Sequence, residues 1–129
     1  MLTGMNSAAD VLVRLCGAEE WARASRAGEM RPDPADSPEA EPFLHLSTRG
    51  QVHLPANRLY LGRTDLVLLH IDAGRLDAPV RWEPGVPTDP GSMLFPHLYG
   101  PLPVAAVVGV EAYPPGPDGT FAPFPSPST

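Results

Sequence analysis

Short apolar runs separated by polar, proline-rich stretches set the layout of this chain. VLVRLC (11–16) is apolar apart from Arg14 and predicts a buried strand. GAEEWARASRAGE follows it. Glu19 and Glu20 lie in the first turn and Arg23 and Arg26 later, an order that complements a helix dipole and predicts a helix over 18–28. Trp21, Ala22 and Ser25 then face inward at helical spacing. RPDPADSPEAEP (31–42) has almost nothing to bury and reads as an exposed loop. FLHLS (43–47) alternates as a strand, and Thr48 with Gln51 forms a capping box for a helix running to about Tyr60. Pro55 inside that segment restricts the helix's length.

DLVLLHIDA (65–73) is the strongest strand pattern and is expected at the centre of a sheet. PVRWEP (79–84) predicts a second short strand, VPTDPGS (86–92) a turn-rich loop, and VAAVVGVEAY (104–113) another strand. From Pro114 onward only Phe121 and Phe124 are large and apolar, so 114–129 is expected to be a disordered, proline-rich tail. Residues 1–10 read as a loose leader. The order β-α-β-α followed by further strands predicts one α+β domain over 11–113, with two helices and a mixed or antiparallel sheet.

Composition narrows the chemistry. A length of 129 residues suits one core, and a formal net charge of -6 with a pI near 5.0 argues against nucleic acid or an anionic membrane as partner. All nine basic residues are arginine, which removes Schiff-base and phosphate-loop lysine chemistry but leaves bidentate recognition of an anion. Cys16 is the only cysteine, so an internal disulfide or a cysteine-rich metal site is excluded. The four histidines, at 45, 53, 70 and 97, show no metal-ligand spacing, and no metal is expected. MLTGMNSAAD lacks the pattern of a signal peptide, and no window approaches a membrane span, so a cytoplasmic location is expected. The oligomeric state is not encoded in these features.

Polar residues in apolar places are the candidates for function. Arg14 either needs a neutralising partner or reaches solvent from a strand edge. His45, Ser47 and Thr48 lie at a strand-to-helix junction, where backbone N–H groups can hold an anion, or where the hydroxyls simply cap. His53 and His70 stand alone and fit surface or satisfied core positions. Trp82 fits the core better than a pocket wall, and Glu83 can orient an arginine or histidine, or face water. In FPHLYGPL (95–102), His97 and Tyr99 point to one side of an extended chain. Gly100 allows positive φ or a close backbone approach between Pro96 and Pro101. That stretch is either a ligand-holding face or a proline-rich turn.

AEEW, FLHLST with a downstream QV, ANRLYLGRTDLVLLHID, APVRWEP and FPHLYGPLP together resemble the domain of unknown function (DUF) 952 family over about 11–113. The resemblance implies a fold similar to ADP-ribosyltransferases, a small α+β domain with split sheets. It also implies a cleft for a nucleotide-type ligand such as NAD or ADP-ribose, or another small anion. By position it implies that Arg14, Ser47, Thr48, Trp82, Glu83 and Gly100 bind, and that His45, His97 and Tyr99 carry any chemistry. Glu83 and Glu111 are the only late candidates for a transferase's acid. A binding domain without chemistry, for a small molecule or peptide, is the alternative, as is a biosynthetic enzyme with a non-nucleotide substrate.

Overall fold

The apolar run at 66–72 is buried on both sides, and the architecture follows from it. In the computed structural model, which describes residues 11–36, 41–84 and 93–123, strand β4 (Leu66–Asp72) lies between β1 (Val11–Gly17) and β8 (Val107–Ala112). Both pairings are antiparallel, from Val11 opposite Asp72 to Gly17 opposite Leu66, and from Val67 opposite Ala112 to Ile71 opposite Val107. Side chains alternate along a strand, so Leu69 and Ile71 enter one core while Leu66 and Leu68 enter another. Each such fully buried leucine or isoleucine stabilises the fold by about 1.5–3 kcal/mol.

On the first face, helix α1 (Ala18–Ala27) buries Ala24, and its Trp21 packs against the core that contains Leu12 and Leu69. Ser25, expected to face inward, is exposed. The helix ends at Gly28, whose φ of 91° is the left-handed conformation that glycine adopts without strain, and whose N–H donates to the Ala24 carbonyl at 2.8 Å. Strand β2 (Glu29–Met30) then pairs with β7 (Leu102–Pro103).

A second three-stranded sheet covers the same core. Its order is β3 (Leu44–His45), β6 (Leu94–Leu98), β5 (Val80–Pro84), all antiparallel. Even-numbered Leu44, Leu98 and Leu46 point into the core with Val80 against them, so odd-numbered residues take the opposite face. The chain beyond β3 crosses to the central sheet through Ser47. Its N–H and carbonyl exchange hydrogen bonds of 2.9 and 2.8 Å with Val13.

The second helix departs from expectation. The N–H of Thr48 is bound by the Gln51 side chain at 3.1 Å, as a capping box requires, but Gln51 also donates to the Leu94 carbonyl, and 49–52 form turns. Helix α2 spans only His53–Leu59. This start places Pro55 in the first turn, where its missing N–H costs no helical bond. Val52 and Ala56 enter the second core with Val13, Leu68, Tyr113 and Phe121.

The chain after Tyr113 returns to the second core through Phe121. Phe121 is 3% exposed and stacks on Tyr113 at 5.2 Å, and it exchanges hydrogen bonds with the Asn57 side chain of 2.7 and 2.9 Å. One aromatic residue therefore anchors the described part of this segment to the second core. Residues 1–10, 37–40 of the expected loop at 31–42, 85–92 with the loop expected at 86–92, and 124–129 lie outside the described residues. No helix among the described residues is long and apolar enough to cross a membrane.

Candidate functional site

The odd-numbered face of the second sheet gathers four aromatic rings and their charged partners. His45 lies opposite His97 on β6, and His97 lies opposite Arg81 on β5, so cross-strand pairing sets three polar side chains in one row. Phe43 precedes β3 with the same parity. Its ring stacks on His97 at 4.1 Å between centroids and 16° between planes, with His45 at 4.8 Å and Tyr99 at 5.1 Å. The two imidazoles meet nearly edge-on at 5.2 Å.

Glu83 ties this cluster together. One carboxylate oxygen, Oε1, bonds His97 Nδ1 at 2.8 Å and accepts from the Tyr99 hydroxyl at 2.5 Å. The Tyr99 bond, followed by that of His97, holds the Glu83 carboxyl below the usual glutamate range. Burial and the adjoining carboxylate push the Tyr99 phenol up. Arg81 lies over the Tyr99 ring at 4.4 Å and reaches Glu41 at 3.5 Å. His97 is only 2% exposed, and its Nε2 is buried without a hydrogen-bond partner among the described residues. A buried polar atom of that kind has an unmet donor or acceptor capacity.

The shared side predicted for His97 and Tyr99 is thus observed, and Glu83 takes the orienting role that was one of its two readings. Pro96 is fully buried in the middle strand, and its carbonyl accepts from the Leu46 N–H at 3.0 Å. Most of FPHLYGPL is therefore strand with a short turn after it. Gly100 is not a positive-φ residue; a Cβ there would stand 2.5 Å from the Ala78 Cβ, so close approach explains it.

Other candidates are placed elsewhere. Arg14 pairs with Glu20 at 2.8 Å and donates to the His45 carbonyl at 3.1 Å, which secures the strand that carries His45. The backbone N–H groups of Ser47 and Thr48 are already bound, to Val13 and Gln51, and helix α2 begins several residues later. Those two amides are therefore not free to hold an anion. Trp82 is 48% exposed, which corrects its assignment to the core. It alternates to the face opposite Glu83, on the edge strand, beyond Val80 where the core stops. Glu111 lies on the central sheet and pairs with His70 at 2.5 Å. Among the described residues, no three His, Cys, Asp or Glu side chains gather as metal ligands.

Beside the rings, a cavity of about 260 Å³ separates the second sheet from helix α2. Leu46, Pro55, Leu59 and Phe95 give it apolar walls, and His45, Ser47 and Arg58 its polar positions. His45 thus belongs to both the cavity wall and the ring cluster. Phe43, Arg58, Arg81 and Phe95 were missed as site residues. Strand parity alone could have added Phe43, Arg81 and Phe95 once His45, Glu83 and His97 were chosen; Arg58 has no such signal.

Residues 15–110 match the family described as Protein of unknown function (DUF952). The chain belongs to the DUF952 family. It is also similar to the crystal structure of protein CC0527 from Caulobacter crescentus, at 28% identity and a TM-score of 0.70, over 87% of this chain and 93% of that one. The solution NMR structure of CC0527 gives 29% identity and a TM-score of 0.69, over 86% and 90% of the two chains. These relatives share a small α+β fold with this DUF952 chain. No curated protein matches it.

Proposed function

We propose that this DUF952 domain binds a small anionic ligand beside the His45–His97 face and that His97 supplies it with a hydrogen bond or a proton. The carrying observation is the imidazole held by Glu83 at Nδ1 while its buried Nε2 has no partner among the described residues. Fixing one ring nitrogen with a carboxylate sets the tautomer and leaves the other for a reacting or recognised group. His45 links this ring to the cavity, and Tyr99 helps hold Glu83 in place. The likeness that the family implies to ADP-ribosyltransferases makes NAD and ADP-ribose the first ligands to try. Fold is an analogy here, not a warrant of transfer activity.

The depth of His97 beneath Phe43 favours a second reading, binding without chemistry. A thermal-shift panel of NAD, ADP-ribose, mononucleotides and simple carboxylates separates the two. The proposal expects at least one anion to raise the melting temperature and His97→Ala to remove the rise. Turnover of that anion, lost in the same variant, selects the enzyme, whereas stabilisation with no product selects the binding domain. An unchanged melting temperature across the panel would defeat both.

A further inference from the structure

The ring of Phe43 lies where a ligand of the His45–His97 face would have to lie. Its contact with the His97 imidazole is close and nearly parallel, 4.1 Å between centroids and 16° between planes, while His45 and Tyr99 flank it at 4.8 and 5.1 Å. Three side chains from β3 and the end of β6 thus form a slot with the outline of one flat ring. A residue of the chain itself fills it.

The chemistry beneath that ring is incomplete. Nε2 is at the tip of an imidazole, away from the backbone, and Glu83 on the neighbouring strand holds Nδ1, so Nε2 projects off the face that Phe43 covers. It is buried there without a hydrogen-bond partner among the described residues. A buried polar atom without a partner works against the arrangement that buries it, whereas the stacked rings work for it. A ligand that both stacks on the imidazole and bonds Nε2 removes that opposition. Local structure permits the exchange, because Phe43 precedes β3, lies outside its ladder and is only partly buried, while the next residue, Leu44, is held in the core. A turn of the Phe43 side chain toward solvent leaves the sheet in place.

We infer that Phe43 is an internal plug in a binding slot, displaced by a ligand whose flat aromatic ring takes its place on His97. This rests on the anion-binding face proposed above, which puts the ligand's acid group at Nε2, and it specifies the ligand as an aromatic acid. A saturated ring of the same charge lacks the flat surface. An acid without a ring has nothing to replace Phe43.

The test adds benzoate, cyclohexanecarboxylate and acetate to the full chain, with affinities from calorimetry and the His97 ring followed by NMR. Benzoate is expected to show nuclear Overhauser contacts to the His97 ring protons, and to bind about threefold or more tighter than cyclohexanecarboxylate, as one aromatic contact implies. Phe43→Ala removes the plug and should bind benzoate about three- to tenfold more tightly than the native chain, because apparent affinity falls with the fraction of molecules that are open. Phe43→Leu keeps an apolar side chain in the slot and should fall between the two. Thermal unfolding checks that each variant is folded, and if the alanine variant is not, the same comparison is made with leucine. Folded variants that bind benzoate no tighter than the native chain overturn the inference. So do equal affinities for the two ring acids, or benzoate binding to none of the three proteins. The ¹⁵N signal of Nε2 reports separately on the parent proposal. If benzoate contacts the imidazole while that signal stays still, the bond given to His97 fails and the slot stands. If the acids move it regardless of their ring and of residue 43, the slot fails and the role of His97 survives.

Discussion

The hydrogen bond from Tyr99 to Glu83 is the joint of the ring cluster, and a double-mutant cycle measures it. Tyr99→Phe removes the donor and Glu83→Gln removes the charge of the acceptor with little change of shape. A hydrogen bond to a charged group contributes about 1.5–3 kcal/mol. The Glu83 side chain is 37% exposed, so solvent screening brings the expected coupling to the lower end, about 1–2 kcal/mol. Glu83→Gln alone should cost more than Tyr99→Phe alone, because it also weakens the hold on the buried His97 ring. Coupling of this size corresponds to roughly 4 °C in Tm per kcal/mol for a chain of intermediate length. Urea unfolding of the four proteins at neutral pH supplies the free energies. The Glu83 carboxyl lies below the ordinary value of 4.5 when folded, so its stabilisation is fully present above pH 4.5 and is lost as pH falls through the folded value. Coupling should therefore be constant near neutrality and fade below pH 4.5. A coupling under about 0.3 kcal/mol at neutral pH, the scatter seen for independent sites, refutes the joint, as does one that does not change with acid.

Three more predictions follow from packing. Gly100→Ala places a Cβ 2.5 Å from that of Ala78 and should cost about 1–3 kcal/mol, with much of the loss recovered in an Ala78→Gly background; no recovery argues against the clash. Phe121→Ala should cost about 3–5 kcal/mol in chemical denaturation and loosen helix α2, seen as faster amide exchange at 56–59. Burial pushes the Cys16 thiol up to about 11, so a thiol reagent near pH 8 should modify it only as fast as the chain opens; rapid labelling of the native protein contradicts that burial.

Period and parity made much of this molecule legible before its structure. The apolar run at 65–73 is the central strand because both of its faces needed burial, and helix 18–28 stops at the glycine that a helix end favours. The same parity placed His97 and Tyr99 together. What was misjudged depended on partners distant in sequence. Gln51 made a correct capping box locally, yet Leu94 and Pro55 shifted the helix start by several residues. Trp82 looked like a core residue because its size is visible in the sequence, whereas its position on an edge strand is not. Phe121 looked isolated in the sequence because Tyr113 and Asn57 come beside it only through the fold. The cavity was invisible for the same reason, since Arg58 and Phe95 meet only through the packing of a helix on a sheet.

The two hydrogen bonds between Asn57 and Phe121 divide the cavity between two kinds of sequence. Its sheet side and its helix both lie within the stretch matched to the family, 15–110, but the segment that steadies the helix lies after it. A seven-residue helix is too short to hold itself together in water, so its rigidity is borrowed. The floor of the pocket is thus inherited with the family, while the stiffness of the opposite wall is set by sequence that the family does not specify. A change near position 121 can retune how readily the pocket admits a guest without altering any residue that touches it.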